Sequence, residues 1–226
     1  MINKSFLSRV QIFSGLSAAD LGRLLEIVSE RTYRRDEVVF HAGDPGSTLF
    51  ILKTGSVKIA ICSSDGREDI LKVLYPGDFF GEMSILDGQH RSATVRAVEK
   101  SASLVITREQ FVELIVDYPQ IALNMLTMMC RRIRKTDEKI ASLRFADSYG
   151  KVARVLLDLA EERGTNTERG MFVANALSRQ ELADLAGISR ETFTRTLLEF
   201  QKNGCICVEG RDVTILNEAT LRREML

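Results

Sequence analysis

Histidine, clustered cysteine and long apolar runs are scarce or missing in this sequence. The two histidines, His41 and His90, lie too far apart to predict a metal or haem site. The four cysteines lack the spacing of iron–sulfur ligands and favour free thiols in a reducing cytoplasm. No run approaches the roughly 18 apolar residues of a membrane-spanning helix. The segment MINKSFLSRVQ also lacks the long apolar core of a signal peptide. We therefore expect a cytoplasmic protein without a membrane segment or a bound metal.

A net charge of either sign is also missing. The chain has 31 basic and 31 acidic residues, and residues 147–226 carry 11 basic against 13 acidic side chains, a net of −2. Composition therefore does not indicate a polyanionic partner, and any nucleic-acid binding must depend on where individual side chains lie. No Ser/His/Asp triad, Walker loop or pair of catalytic carboxylates stands out, so the sequence does not predict an enzyme.

The hydrophobic period changes twice along the first two thirds of the chain. Residues 17–28 show helical spacing after a capping-box pattern at Ser17 and Asp20. From about 31 to 107, short apolar or alternating runs separated by Gly, Pro and Asp turn signals indicate an antiparallel β-barrel, roll or sandwich. A second capping box begins at Thr107, and Pro119 begins a longer helix.

The helix predicted over 119–145 has a heptad seam. Its members are Ala122, Leu126, Met129, Ile133, Thr136, Ile140 and Leu143. Charged residues flank this seam, which favours a two-stranded coiled coil and hence a homodimer; the alternative is a helix that packs on its own β-domain. Thr136 is the polar member of the seam. A polar residue at such a position lowers stability and usually has a specific role.

Residues 147–226 have the order of a winged helix–turn–helix. An amphipathic helix, a polar loop over 165–170 and a strand-like segment precede two helices that are joined by a tight turn at Gly187. A hairpin and a short helix follow. We therefore predict an α+β chain with an antiparallel β-domain over 1–118, a dimerisation helix and linker over 119–146, and a DNA-binding domain over 147–226.

The second helix of the helix–turn–helix carries the candidate DNA-reading residues. In this motif the N-terminal residues of that helix face base edges in the major groove. Arginine can hold guanine through two hydrogen bonds, and glutamate can accept one from cytosine. The alternative is a solvated, salt-bridged helix surface, but the apolar pattern fits the whole motif. The predicted DNA-binding residues are Ser178, Arg179, Ser189, Arg190, Glu191, Thr194 and Arg195.

The stretch FGEMSILDGQHRSATV, residues 80–95, places Glu82 and Arg91 among apolar or small residues. A buried charge without a partner costs several kcal/mol, so the two pair with each other or with a ligand. Gly81 allows close backbone approach, and Glu82 begins a helical turn whose free N–H groups can hold an anion. Arg91 and Ser92 can donate to a phosphate, whereas a carboxylate suits a ribose hydroxyl.

Two segments, GDFFGEMSILDGQHRSATVRA and LSRQELADLAGISRETFTRTL, resemble the Crp/Fnr regulators of the cAMP receptor protein type, and the resemblance covers nearly the whole chain. It implies that the β-domain over 1–118 is a β-roll effector domain. It also implies control by a cyclic nucleotide such as cAMP, and it implies that Thr136 meets the adenine ring. Asp137 stands where that type has a serine from the partner subunit, which is a departure. The residues implied to hold the sugar and phosphate are Gly81, Glu82, Arg91, Ser92 and Ala93.

The same resemblance implies partners and leaves alternatives. Arg190, Glu191 and Arg195 stand at three base-reading positions, which implies a palindromic operator with TGTGA-like half-sites. The polar loop EERGTNTERG resembles a surface through which some members contact RNA polymerase. We call the segment over residues 81–93 the cassette. In other Crp/Fnr relatives this segment holds a structural Glu–Arg pair, and the effector differs or is absent. A haem-based gas or redox sensor and a cyclic-nucleotide module that regulates an enzyme are further alternatives.

Overall fold

The computed structural model describes residues 4–62, 68–145, 147–175 and 177–225. The chain divides into two compact units, Met1–Ile133 and Arg134–Leu226. Within the described residues, no helix has the length and apolar character needed to cross a membrane.

The first unit begins with short helices that cover one end of a hydrophobic core. These are α1 (Lys4–Leu7), a 3-10 turn (Gln11–Phe13) and α2 (Ala18–Ile27). The capping box predicted at Ser17 is confirmed, because its hydroxyl accepts from the backbone N–H of Asp20 at 3.2 Å. Buried side chains of these helices share one core with the β-strands and with the later helices of this unit.

The β-roll predicted for the middle of the chain is confirmed as two antiparallel sheets of four strands each. The first has the order β1, β8, β3, β6, and the second has the order β2, β7, β4, β5. The strands are β1 (Ser29–Tyr33), β2 (Val38–Phe40), β3 (Thr48–Thr54), β4 (Val57–Cys62), β5 (Glu68–Leu74), β6 (Phe79–Phe80), β7 (Thr94–Ala97) and β8 (Ser101–Thr107). A short helix, α3 (Glu82–Asp87), lies between β6 and β7.

Two helices follow the roll, α4 (Arg108–Asp117) and α5 (Pro119–Phe145). Both predicted starts are confirmed: Thr107 caps α4 together with Gln110, and Pro119 begins α5. Near its start α5 buries Ile121 and Met125 in the core of the first unit.

The second unit is the predicted winged helix–turn–helix. Its elements are α6 (Ser148–Arg163), β9 (Thr165–Thr167), β10 (Gly170–Val173), α7 (Arg179–Ala186), α8 (Arg190–Lys202), β11 (Ile206–Glu209), β12 (Asp212–Ile215) and α9 (Glu218–Glu224). The strands form one sheet in the order β11, β12, β10, β9. The prediction of a polar loop over 165–170 was wrong in part, because Thr165–Thr167 forms β9 and pairs with β10.

Candidate functional site

Arg91 is a buried cation held by the backbone of the β-roll. It is only 5% exposed. Its Nη1 donates to the Gly81 carbonyl at 2.7 Å, and its Nη2 donates to the carbonyl and hydroxyl of Thr48 at 2.9 and 3.0 Å. The guanidinium lies 4.3 Å from the centre of the Phe40 ring, a cation–π contact. Arg91 Nε is buried and makes no hydrogen bond to any described residue. One donor of the cation is therefore still available to an acceptor.

Two glycines leave the space that Arg91 occupies. Gly81 has a φ of +79°, and a Cβ there would lie 2.6 Å from Arg91 Nη1. A Cβ at Gly46 would lie 2.4 Å from Ser84 Cβ and 2.8 Å from Arg91 Nε. Sequence reasoning selected Gly81 and missed Gly46, whose only signal was its place in the turn GDPGS. Both positions need glycine because the cassette lies directly against them.

Substitution of Gly46 by alanine is expected to destabilise the protein by about 1–3 kcal/mol, because Ser84 Cβ is attached to the α3 backbone and cannot move aside freely. The measurement is the denaturant midpoint. Gly22→Ala in α2 is the control, since its Cβ would meet only the mobile end of the Lys4 side chain. We expect that variant to be neutral or slightly stabilised. Equal midpoints for both variants would contradict the close approach at Gly46.

Glu82 is buried as well, and its ion-pair partner is Arg132 of α5. Glu82 Oε1 accepts from Arg132 Nη1 at 2.9 Å. Arg132 Nη2 also donates to the Phe79 carbonyl at 2.6 Å, and its guanidinium lies 4.2 Å from the centre of the Phe79 ring. Burial raises the pKa of Glu82, and the charges of Arg132 and Arg91 act in the opposite direction. A carboxylate this far from water therefore depends on the cations around it.

Sequence reasoning considered Arg91 or a ligand as the partner of Glu82, and it missed Arg132. The signal available was an arginine inside the seam helix, one residue before Ile133 and one helical turn before Thr136. Within the described residues, the ion pair of Glu82 is with Arg132, whereas Arg91 bonds to backbone carbonyls.

The other predicted effector residues are placed in different surroundings. The Ser92 hydroxyl is exposed and lies 3.6 Å from the Met83 sulfur, to which it donates. Ala93 is buried next to it. Thr136 and Asp137 are exposed residues of α5 in the second unit. The structure thus brings Gly81, Glu82 and Arg91 together around one backbone turn.

The predicted base-reading residues share one exposed face of α8. Arg190, Glu191 and Arg195 are exposed, and Thr194 is half-buried with its hydroxyl donating to the Arg190 carbonyl at 2.8 Å. The buried side of α8 consists of Phe193, Thr196, Leu197 and Phe200. The exposed face lines an open groove together with Gln180, Ser189, Leu198, Glu199 and Lys202. The Gly187 turn, with a φ of +64°, is confirmed.

Ser178, Ser189 and Arg179 have structural partners. Ser178 and Ser189 cap α7 and α8, and each hydroxyl accepts from a backbone N–H three residues later. Arg179 Nη2 donates to the carbonyl of Gly210, in the turn of the β11–β12 hairpin, at 3.1 Å. Burial lowers the pKa of Arg179. These residues therefore shape the helix–turn–helix, and their DNA contacts remain predictions.

Asn175 is a residue of this region that sequence reasoning did not select. Its Nδ2 donates to the Arg211 carbonyl at 3.3 Å, and its Oδ1 accepts from the Leu177 N–H at 3.0 Å. Its own backbone N–H donates to Asp212 at 2.8 Å. Asn175 thus connects the segment before α7 to the hairpin turn. A buried asparagine in a loop has no periodic signal in the sequence.

Family models match both units. The model of the cyclic nucleotide-binding domain covers residues 30–118, and the model of the Crp-like helix-turn-helix domain covers residues 150–224. These matches, together with the groove along α8, define a DNA-binding transcription regulator with a cyclic nucleotide-binding domain. Groups of three His, Cys, Asp or Glu side chains suited to a metal ion are absent from the described ranges.

Known proteins are similar to this chain over almost its full length. The CRP-like cAMP-activated global transcriptional regulator of Mycobacterium tuberculosis is 35% identical over 217 residues, 96% of this chain and 97% of that protein. The structure of the c-di-GMP-responsive global regulator CLP of Xanthomonas campestris matches with a TM-score of 0.73 at 30% identity, covering 88% of this chain and 99% of that one. FixK2 of Bradyrhizobium japonicum shares the fold, with a TM-score of 0.80 at 23% identity over 88% of this chain and 98% of that one. The chain belongs to the Crp/Fnr family of transcription regulators.

Proposed function

We propose that the β-roll of this regulator binds a cyclic nucleotide, with cAMP as the first candidate, and that binding controls its interaction with DNA. The observation that carries the proposal is Arg91 Nε, a buried donor on a cation with no hydrogen-bond partner among the described residues. A phosphate oxygen is the acceptor that best matches it, because a charge-assisted hydrogen bond offsets the cost of burying the guanidinium. The related regulator of M. tuberculosis is named as cAMP-activated.

Each predicted residue has a role in this proposal. Arg91 and Ser92 donate to the phosphate, and Gly81 and Ala93 let the backbone come close to it. Glu82 accepts from the ribose hydroxyl through Oε2, since its Oε1 already accepts from Arg132. Thr136 and Asp137 of α5 contact the purine, and the Asp137 carboxylate can accept from an exocyclic amino group.

A second candidate is a Crp/Fnr regulator whose cassette is structural, with another effector or none. The observation in its favour is that Arg91 already donates to Gly81 and Thr48, and that Glu82 already pairs with Arg132. Contacts within the chain thus satisfy most of the polar groups of Glu82 and Arg91. In that case, binding a nucleotide brings little additional stabilisation.

Calorimetry with cAMP, cGMP and cyclic di-GMP separates the two candidates. We expect saturable heat with cAMP, and cyclic di-GMP is included because the related CLP protein is named as responsive to it. An absence of saturable heat with all three would mean that the cassette is structural. The visible spectrum of the same sample tests the haem alternative, because a colourless protein carries no haem.

We propose that the functional form is a homodimer joined through the 119–145 helix. Leu126 and Ile133 of the predicted seam are each 61% exposed, which is unusual for large apolar side chains. A second copy of the same helix would bury them in a parallel coiled coil. Sedimentation equilibrium measures the association, and Ile133→Glu should weaken it.

In the proposed dimer two α8 helices meet a palindromic operator with TGTGA-like half-sites, about one helical turn (34 Å) apart.

The hairpin loop around 161–170 is proposed to contact RNA polymerase, and the protein is proposed to work in the cytoplasm. The proposed domains are an effector-binding domain over 1–118, a dimerisation helix and linker over 119–146, and a DNA-binding domain over 147–226.

Substitution of Glu191 by alanine is expected to relax discrimination at one base pair of each half-site by about 1–3 kcal/mol, because a carboxylate selects the amino group of cytosine. Binding is measured with duplexes that differ at single positions. Glu199→Ala, further along the same groove, is the matched control and should keep the wild-type sequence preference. If Glu191→Ala weakens binding equally for all sequences, Glu191 does not read a base.

A further inference from the structure

Leu198 is an exposed leucine on the DNA-facing side of α8. It is 58% exposed, and it lines the same groove as Arg190, Glu191, Thr194 and Arg195. Its neighbour Leu197 is only 2% exposed, so Leu197 is the leucine of this helical turn that packs in the hydrophobic core. Leu198 therefore lies mostly outside the core of the unit, and it adds a branched apolar side chain to a groove whose other lining residues are polar or charged.

Thr194 adds a second apolar group beside it. The Thr194 hydroxyl donates to the Arg190 carbonyl at 2.8 Å, so its hydrogen is used within the helix. Thr194 and Leu198 are separated by four residues, and residues at this spacing are neighbours on a helix surface. The Thr194 methyl group and the Leu198 side chain can therefore form one apolar patch between the charged residues of the groove.

The major groove presents one apolar group, the C5-methyl of thymine, and apolar side chains or a threonine methyl are its usual protein contacts. We propose that Leu198, with the methyl group of Thr194, reads the C5-methyl of a thymine in each operator half-site. The inference rests on the proposed DNA-reading role of α8. It adds a specificity determinant that is neither charged nor a hydrogen-bond donor.

The test removes the methyl group from either side of the contact. The operator is first selected with the full-length protein and saturating cAMP from a pool of random duplexes. Each thymine of one half-site is then replaced by deoxyuridine, which lacks only the C5-methyl. We expect one position at which this replacement weakens binding by the wild type about three- to fivefold, the amount that corresponds to burial of one methyl-sized group.

The protein variants complete a double-mutant cycle. Leu198→Ala should bind the thymine duplex about three- to fivefold more weakly and should no longer distinguish thymine from deoxyuridine at that position. Thr194→Ser, which removes only a methyl group, should reduce the distinction in part. Leu216→Ala is the control, because Leu216 is 43% exposed in the same unit and does not line the groove. It should keep the full thymine preference.

The outcomes separate this inference from the function on which it rests. If a duplex is selected but deoxyuridine has no effect at any position, the methyl contact is overturned and the DNA-reading role stands. The same holds if Leu198→Ala retains the wild-type preference for thymine. If no duplex is enriched, either with cAMP or in a parallel selection without it, the DNA-reading role of α8 is overturned and so is this inference.

Discussion

Replacement of Arg91 by leucine is expected to weaken cyclic-nucleotide binding by at least about 100-fold, which corresponds to about 2.7 kcal/mol. The variant removes the buried cation whose Nε is available to the phosphate. Hydrogen bonds to charged groups contribute about 1.5–3 kcal/mol each, and the charge of the phosphate would then lie beside a hydrocarbon. Titration calorimetry with cAMP measures the change.

Arg91→Leu also removes the donor to the carbonyls of Gly81 and Thr48, so its stability must be measured alongside. Arg91→Lys keeps the positive charge but not the planar guanidinium, and it should bind with intermediate affinity. Arg96→Leu is the matched control, because Arg96 belongs to β7 but donates to the Asp36 carbonyl on the outside of the roll. Folded Arg91→Leu protein with wild-type affinity would show that Arg91 does not hold the phosphate.

Replacement of Arg132 by methionine is expected to destabilise the protein by about 2–3 kcal/mol at neutral pH. Loss of one partner from a buried pair leaves the other charge uncompensated, and the partial exposure of Arg132 places the effect at the lower end of the usual range. The double variant Arg132→Met with Glu82→Gln should recover most of this loss, because the amide carries no charge. Denaturant unfolding of the single and double variants measures the coupling between the two residues.

The loss should depend on pH in a defined direction. Burial raises the pKa of Glu82, so in the range between its ordinary and its raised value the folded state binds more protons than the unfolded state. The contribution of Glu82 to stability therefore increases as the pH falls through the raised pKa, and it decreases as the pH rises. Protonated Glu82 needs no cation, so the difference between wild type and Arg132→Met should shrink at lower pH. A difference that stays constant down to acidic pH would exclude Glu82 as the cause.

The local signals of the sequence predicted much of the fold. The capping boxes at Ser17 and Thr107 and the turn at Gly187 are all found as expected, because each is contained within a few consecutive residues. The alternation of the strands and the heptad period of α5 are similarly local properties. The order of these elements was sufficient to predict an antiparallel β-domain and the winged helix–turn–helix, whereas the choice of a β-roll came from the family resemblance.

The contacts inside the effector cassette could not be predicted in the same way. Arg132 and Glu82 are separated by 50 residues, and their pairing depends on which side of α5 faces the roll. The acceptors of Arg91 are backbone carbonyls, which every residue carries and no side-chain pattern reveals. The β9 strand was missed because its three residues, Thr165–Thr167, are all polar and exposed.

The adjacency of Arg132 and Ile133 on α5 has a consequence for how affinities are measured. Arg132 holds the cassette through Glu82, and the next residue belongs to the exposed seam of the proposed dimer. In the proposed dimer, a second copy of the chain binds the same helix that pairs with Glu82. If dimerisation and effector binding are coupled through α5, each changes the affinity of the other by the same factor. On these proposals, the measured affinity for an effector should change with the chain concentration until the dimer is fully formed.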